Sequence, residues 1–263
     1  MPRAVRTRTQ PTAPVDRETL RSLLSADPVR TAVVWDRVFQ QPSYRHILTE
    51  GVPPKAVAAL APSKRGTGPT GVAIHAADRV AGERIIARIP PGPIFFHATE
   101  MHLADGLRGR AVSLEARPAW LYAVEEDDFV DLQRHDVRPV TADAASRIAT
   151  LWEPDWPSER YVRSRIEEGP TAGIYHGGAL VAWAMTHFVT DRVAMLGFFH
   201  VVEGNRRQGY AKSVASALTR EVLQRGRIAA LHVYEENEPS LHLVEQLGYD
   251  RVTRQVWGEG VLR

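Results

Sequence analysis

The stretch Val201-Val-Glu-Gly-Asn-Arg-Arg-Gln-Gly-Tyr-Ala211 runs directly into an amphipathic segment, residues 212–225. An apolar run over 193–202 stops at this polar turn, and a helical pattern starts at once. The turn places Arg206, Gly209 three residues later and Ala211 two after that. Glycine lets backbone approach a ligand closely. Free N–H groups at a helix start converge on an anion, with the helix dipole behind them. Arg206 and Arg207 add positive charge at the mouth. The turn, with Gln208 and Tyr210 inside it, is expected to hold a pyrophosphate.

That spacing resembles motif A of the GNAT superfamily, the acetyl-coenzyme A-dependent N-acyltransferases, whose pattern is Arg/Gln-x-x-Gly-x-Gly/Ala. A second stretch resembles the same family's motif B. Residues 231–240 read Leu-His-Val-Tyr-Glu-Glu-Asn-Glu-Pro-Ser and residues 241–249 Leu-His-Leu-Val-Glu-Gln-Leu-Gly-Tyr. This is a strand, then Asn-x-x-Ser-hydrophobic, then a helix closing on Leu-Gly-Tyr. Residues 234–240 look most like the glycine N-acyltransferase-like subgroup. The resemblance covers residues 133–263, about half the chain.

The resemblance implies an α/β (α+β) fold with a mixed, mostly antiparallel sheet flanked by helices. Two of its strands, one entering motif A and one at 228–234, splay apart, and the pantetheine arm of coenzyme A lies between them. Freed N–H groups near Phe199 and Val201 then face the cofactor. The one at Val201 bonds the thioester carbonyl and the oxyanion formed on attack, a kind of donor that contributes roughly 3–4 kcal/mol. The amides of Gln208, Gly209, Tyr210 and Ala211 take the pyrophosphate, and Asn237 bonds the pantetheine amide. Ser240 is read as the cap of the following helix, with a cofactor contact as the alternative. The implied reaction moves an acetyl or other short acyl group from coenzyme A to a primary amine by direct attack on the thioester. The competing reading is a catalytically silent coenzyme A-binding or sensing module. Many family members carry a tyrosine four residues after the motif B serine to protonate the departing thiolate. Here that position is Val244.

Candidate general bases are His187, Asp191, His200, Glu203, His232 and Glu235, none preferred on sequence alone. Histidine suits the task best because its charge changes near pH 6.5. Strand alternation sets His200 on the face opposite Phe199 and Val201 unless a bulge intervenes. No metal is expected, because the histidines fall in no ligand spacing such as His-Glu-x-x-His. A serine hydrolase would need Gly-x-Ser-x-Gly, which is absent. The acceptor stays open among amino acids, polyamines, antibiotics and protein N-termini. Trp152, Trp156, Trp183 and Tyr161 are candidates for an apolar acceptor wall.

The chain has 263 residues, 44% hydrophobic and 24% charged, enough for one large domain or two small ones. It has no cysteine, which excludes disulfides and a thiol nucleophile and fits a reducing cytoplasm. No apolar stretch approaches the ~20 residues of a membrane span, and residues 1–15 lack a signal peptide's apolar centre. A soluble, cytoplasmic protein is expected, with no membrane or nucleic-acid partner and an oligomeric state left open. Residues 1–135 hold 18 basic and 15 acidic groups, and residues 136–263 hold 15 and 16. Arg3, Arg6 and Arg8 account for the first excess, so no basic face for nucleic acid emerges.

Three parts are expected along the chain. Residues 1–15 form a disordered basic tail. Residues 16–132 form an α/β half, either a degenerate GNAT-like copy or an unrelated lid. Residues 133–263 form the acetyl-CoA-binding domain. In the first half, helices are predicted over 16–24, 31–39, 76–86 and 99–106, with strands over 71–75, 93–97, 111–115 and 119–124. The second half is predicted as a strand at 137–140, a helix capped by Thr141, a helix at 158–167, strands at 172–175, 179–187 and 192–202, a helix at 210–224, a strand at 228–234, a helix at 239–247 and a strand at 250–257.

Overall fold

The computed structural model describes residues 16–62, 68–152 and 158–263. The tail and Trp156 lie outside them. The first half runs α1 (Arg17–Ser25), α2 (Ala32–Phe39), β1 (His46–Glu50), β2 (Ala56–Ala61), β3 (Thr70–Ala76), α3 (Arg79–Ala87), β4 (Gly92–Ala98), α4 (Met101–Arg110) and β5 (Ala111–Val124). The second runs α5 (Ala145–Trp152), α6 (Glu159–Glu168), β6 (Thr171–His176), β7 (Ala179–Val189), β8 (Val193–Val201), α7 (Tyr210–Gln224), β9 (Ile228–Tyr234), α8 (Glu238–Gln246) and β10 (Asp250–Leu262). Both halves share one element order. All the strands form a single sheet, ordered β1-β2-β3-β4-β10-β5-β9-β8-β7-β6.

That order contains an exchange. β5, the last strand of the first half, pairs antiparallel with β9, and β10, the last of the second, pairs antiparallel with β4. β5 and β10 then pair with each other at the centre. The halves that follow one another in the chain are interlocked in space through their final strands.

Alternation along the strands sorts the helices into two layers. Val181, Ala182, Ala184, Leu196 and Leu231 pack on α7 and α8, while Leu180, Trp183, Met185 and Phe198 pack on α5 and α6. In the first half, Ile74 and Phe96 meet α3 and α4, and Val57 and Ala73 meet α1 and α2. α2 also reaches across the seam, setting Ala32 and Val33 against Leu121, Met195 and Ala230.

Three expectations change. Residues 137–140 make only one bridge, Arg138 with Gly173 at 2.9 and 2.7 Å, because Pro139 has no N–H to give and Val140 N–H donates to the Thr171 hydroxyl at 2.8 Å instead of to backbone. The runs at 111–115 and 119–124 are one strand, since the fixed φ of Pro118 is compatible with extended backbone. The segment around 47–60, unassigned by pattern, is the β1–β2 hairpin.

Candidate active site

β8 and β9 run parallel and pair at four positions, from Val193↔Ile228 to Leu196↔Leu231. β8 then continues to Val201 and β9 to Tyr234 without pairing to each other. The strands part in a V whose apex lies at Leu196 and whose mouth faces the motif A turn. Val202 N–H donates to Val181 of β7 at 2.9 Å. Alternation at the end of β8 therefore turns the N–H of Val201 the other way, into the V.

A cleft of about 590 Å³ fills the space between the end of β8 and the starts of α7 and α8. Its wall includes Phe199, Val201, Arg206, Arg207, Gly209, Tyr210, Ala211 and Ser240. Eight of the ten residues expected to bind cofactor thus converge on one cavity. Gln208 and Asn237 do not line it. Gln208 turns its carbonyl to His135, which donates from Nε2 at 2.9 Å. Asn237 is the N-cap of α8, its side chain accepting from Ser240 N–H at 3.3 Å. The capping role expected of Ser240 therefore belongs to Asn237, and Ser240 sits in the first turn as the residue whose N–H is capped.

Gly209 is the N-cap of α7 with φ +82°, and Arg207 has φ 61°. The sharp reversal they make leaves the amides of Gly209, Tyr210, Ala211 and Lys212 without an acceptor among the described residues. Arg206 and Arg207 are exposed beside them. Tyr210 is buried, and its hydroxyl bonds His176 Nε2 at 2.8 Å while His135 packs edge-on at 4.6 Å. α7 is held from behind by its small hydroxyl residues. Ser213 accepts from Arg134 N–H at 3.0 Å, and Ser216 accepts from Leu132 N–H at 2.9 Å.

The opposite face of the V belongs to α5, α6 and α2. Trp183 is fully buried. Trp152 and Tyr161 are half-buried and gather with Phe198 and His187, Trp152 lying 4.3 Å and His187 4.6 Å from the Phe198 ring. A second, polar cavity of about 360 Å³ lies beside them between α2 and α6, lined by Asp36, Gln40, Gln41, Arg165, Glu168 and Thr186 among others. Burial pushes the Asp36 carboxyl up despite its ion pair with Arg37.

The six base candidates separate cleanly. Asp191 is exposed and pairs with Arg21 at 3.1 Å, and Glu203 is exposed in the turn after β8. Glu235 pairs with Arg254 at 2.7 Å. His200 stacks on Trp183 at 4.5 Å and lines the cleft between Phe199 and Val201. His232 donates to Gln255 at 2.8 Å, and burial brings its pKa down to about 4. His187 bonds Tyr161 Oη through Nδ1 at 3.1 Å, and burial chiefly, with Arg37, His232 and Arg165 adding to it, brings it down to about 3. Among the described residues no group of histidine and carboxylate side chains is placed to hold a metal ion, and no helix is long and apolar enough to cross a membrane. Missed in the sequence were the partners of His187 and the contribution of α2. The available signal was Gly197, a glycine inside an apolar strand, which marks a close approach.

Residues 171–258 match the family model described as FR47-like protein. A Drosophila protein of known structure is 15% identical, with a TM-score of 0.63 over 91% of this chain and 89% of its own. A GCN5-related N-acetyltransferase from Kribbella flavida is 16% identical, with a TM-score of 0.59 over 89% and 94%. A tandem GNAT protein from the clavulanic acid biosynthesis pathway is 14% identical, with a TM-score of 0.57 over 93% and 94%. The chain has the fold of the GNAT acetyltransferases. The match to the tandem GNAT protein extends across both halves, as the shared element order does. No curated protein sequence matches the chain.

Proposed function

We propose that this protein is a GNAT-superfamily N-acyltransferase that moves an acetyl or other short acyl group from coenzyme A to a primary amine. The observation that carries the reading is the parting of β8 and β9 after Leu196↔Leu231, over a cleft that ends at the free amides of α7. A long, thin arm with a pyrophosphate at one end and a thioester at the other fits that shape. The N-terminus of α7 with Arg206 and Arg207 would receive the phosphates. The N–H groups of Val201 and Phe199 would bond the arm, one of them meeting the oxyanion. Coenzyme A supplies the activated acyl group, and the chain supplies position and donors. A cytoplasmic location belongs to this reading, where acyl-coenzyme A is made. The finer likeness to the glycine N-acyltransferase-like subgroup rests on residues 234–240 alone.

One observation favours the silent coenzyme A-binding module instead. Val244 is buried in the core under α8, so the family's usual thiolate-protonating position holds a packing residue. Two measurements separate these readings. Calorimetry with acetyl-CoA, ATP and NAD tests the ligand, and binding is expected for acetyl-CoA alone. Thiol release from acetyl-CoA across a panel of primary amines tests turnover. Binding without release on every amine would leave the silent module standing.

A further inference from the structure

Gly197 is the first residue of β8 beyond its last pair with β9, so it stands at the apex of the V. A Cβ on Gly197 would collide with Nε2 and Cδ2 of His187, so the imidazole lies directly over the glycine with Nε2 foremost. Two bulges produce this contact. The β7 register jumps from Thr186↔Leu196 to Phe188↔Met195, leaving His187 outside the ladder. The β8 register jumps from Met185↔Gly197 to Trp183↔His200, with Phe198 at φ 56°. Bulges re-aim side chains, and here both turn a ring toward α6. Tyr161 then fixes Nδ1 at 3.1 Å, and Arg165 fixes the bulge by donating to His187 O at 2.9 Å.

We infer that His187 is the proton shuttle of acyl transfer, its Nε2 taking the proton of the attacking amine and returning it to the departing sulfur. Tyr161 is the positioning residue that holds Nδ1. The inference rests on the acyltransferase reading above and extends it: the arm enters at the motif A turn, passes Val201, and its thioester reaches the apex of the V beside Gly197. The amine nitrogen forms a bond to the thioester carbonyl carbon, and its N–H proton passes to Nε2. The carbonyl re-forms as the C–S bond breaks, and the sulfur leaves with the bonding pair. His187 then gives its proton to that thiolate, so the products are the amide and free coenzyme A, with no other reactant.

The surroundings suit a shuttle better than a resting acid. The groups facing His187 are Tyr161 and Arg165 from α6, Arg37 with its partner Asp36 from α2, and His232 from β9. Cations on two sides and burial keep the imidazole neutral between turnovers; they weaken it as a base, and they drive the imidazolium to hand its proton on to the departing sulfur. That role fills the place left by Val244.

Bromoacetyl-CoA tests the geometry without an acceptor. Its methylene carbon would sit where the acetyl methyl sits, and an adjacent Nε2 displaces bromide to give a covalent adduct. Calorimetry with coenzyme A comes first. No binding there would remove the acyltransferase reading itself. With binding established, the expected result is one adduct per chain, mapped by peptide mass spectrometry to His187, blocked by excess coenzyme A and absent in H187Q. Binding without an adduct at His187 overturns the shuttle alone. For any amine that turns over, H187Q should lower kcat by about a hundredfold or more, with KM changed far less. Y161F should lower it less than H187Q does. A kcat in folded H187Q equal to that of the unaltered protein also overturns the assignment.

Discussion

His97 and His232 donate to the same atom. Each Nε2 lies 2.8 Å from Gln255 Oε1, and the two rings stand 5.6 Å apart, His97 on β4 of the first half and His232 on β9 of the second. Gln255 Nε2 in turn donates to Arg30 O at 2.7 Å, which fixes the amide's orientation and makes both imidazoles Nε2–H donors. His97 Nδ1 is buried without a partner. Gln255 lies on β10, one of the exchanged strands, so one side chain ties together both halves and the loop before α2.

This arrangement makes stability depend on pH. Burial holds His97 well below the ordinary histidine range, and brings His75 and His232 down to about 4 and His187 to about 3. In the unfolded chain these groups take up protons near pH 6.5, before the folded chain does. Stability is therefore fully present above that pH and is lost as the pH falls from about 6.5 toward about 4. Each such histidine adds a slope of up to about 1.4 kcal/mol per pH unit within that window. Urea unfolding midpoints should drop steadily from neutral pH to about pH 5. A flat profile there would contradict neutral, buried imidazoles.

At the motif A turn, Gly209 carries two separable demands. Its φ of +82° disfavours any other residue, while a Cβ there would meet only His135 Nε2, at 3.5 Å. Gly209→Ala should therefore cost chiefly backbone strain, about 1–2 kcal/mol of stability. Gly209→Glu brings a negative charge to the phosphate site as well. Its affinity for acetyl-CoA should fall at least tenfold, about 1.4 kcal/mol, with the fold retained by circular dichroism. Equal affinity in Gly209→Glu and Gly209→Ala would remove the anion from this turn.

How much of this was legible in the sequence depends on the range of the cause. α7 was read to the residue because Gly209, the apolar positions 214, 218 and 222, and the break at Gly226 all act within a few turns. β9 was read equally well for the same reason. The exchange of β5 and β10 was not legible, since either strand satisfies its alternating pattern beside several partners. His187 was one of six bases of similar merit, because what singles it out is Tyr161, 26 residues away, and a bulge that no local pattern encodes.

The first half repeats the architecture but closes the cofactor slot. β3 and β4 pair from Thr70↔Ile94 to Ile74↔Ala98, and Thr99 N–H extends the ladder by donating to Ile74 at 3.1 Å. At the start of α3, Asp78 places its own carboxylate on Ala81 N–H at 2.8 Å, occupying with negative charge the place an anion would take. Calorimetric titration should therefore give one coenzyme A per chain. Two sites of similar affinity would mean that β3 and β4 open in solution.

The exchanged strands predict what happens when the chain is cut. Residues 133–263 contain the whole family-model match and every wall residue of the cleft, so on sequence grounds they look self-sufficient. In the fold their sheet is completed by strands of the first half. Without β5, β9 loses its antiparallel partner along six paired positions, from Ala119↔Tyr234 to Val124↔Ala229, and becomes an open, apolar edge. β10 loses β4 and β5 together, and Gln255 loses His97 and the Arg30 carbonyl. Unpaired edges of this kind drive association. A fragment of residues 133–263 expressed alone should aggregate or show no cooperative thermal transition, whereas adding back residues 16–132 as a separate chain should restore one. A monodisperse, cooperatively melting fragment would show that the exchange is dispensable for folding.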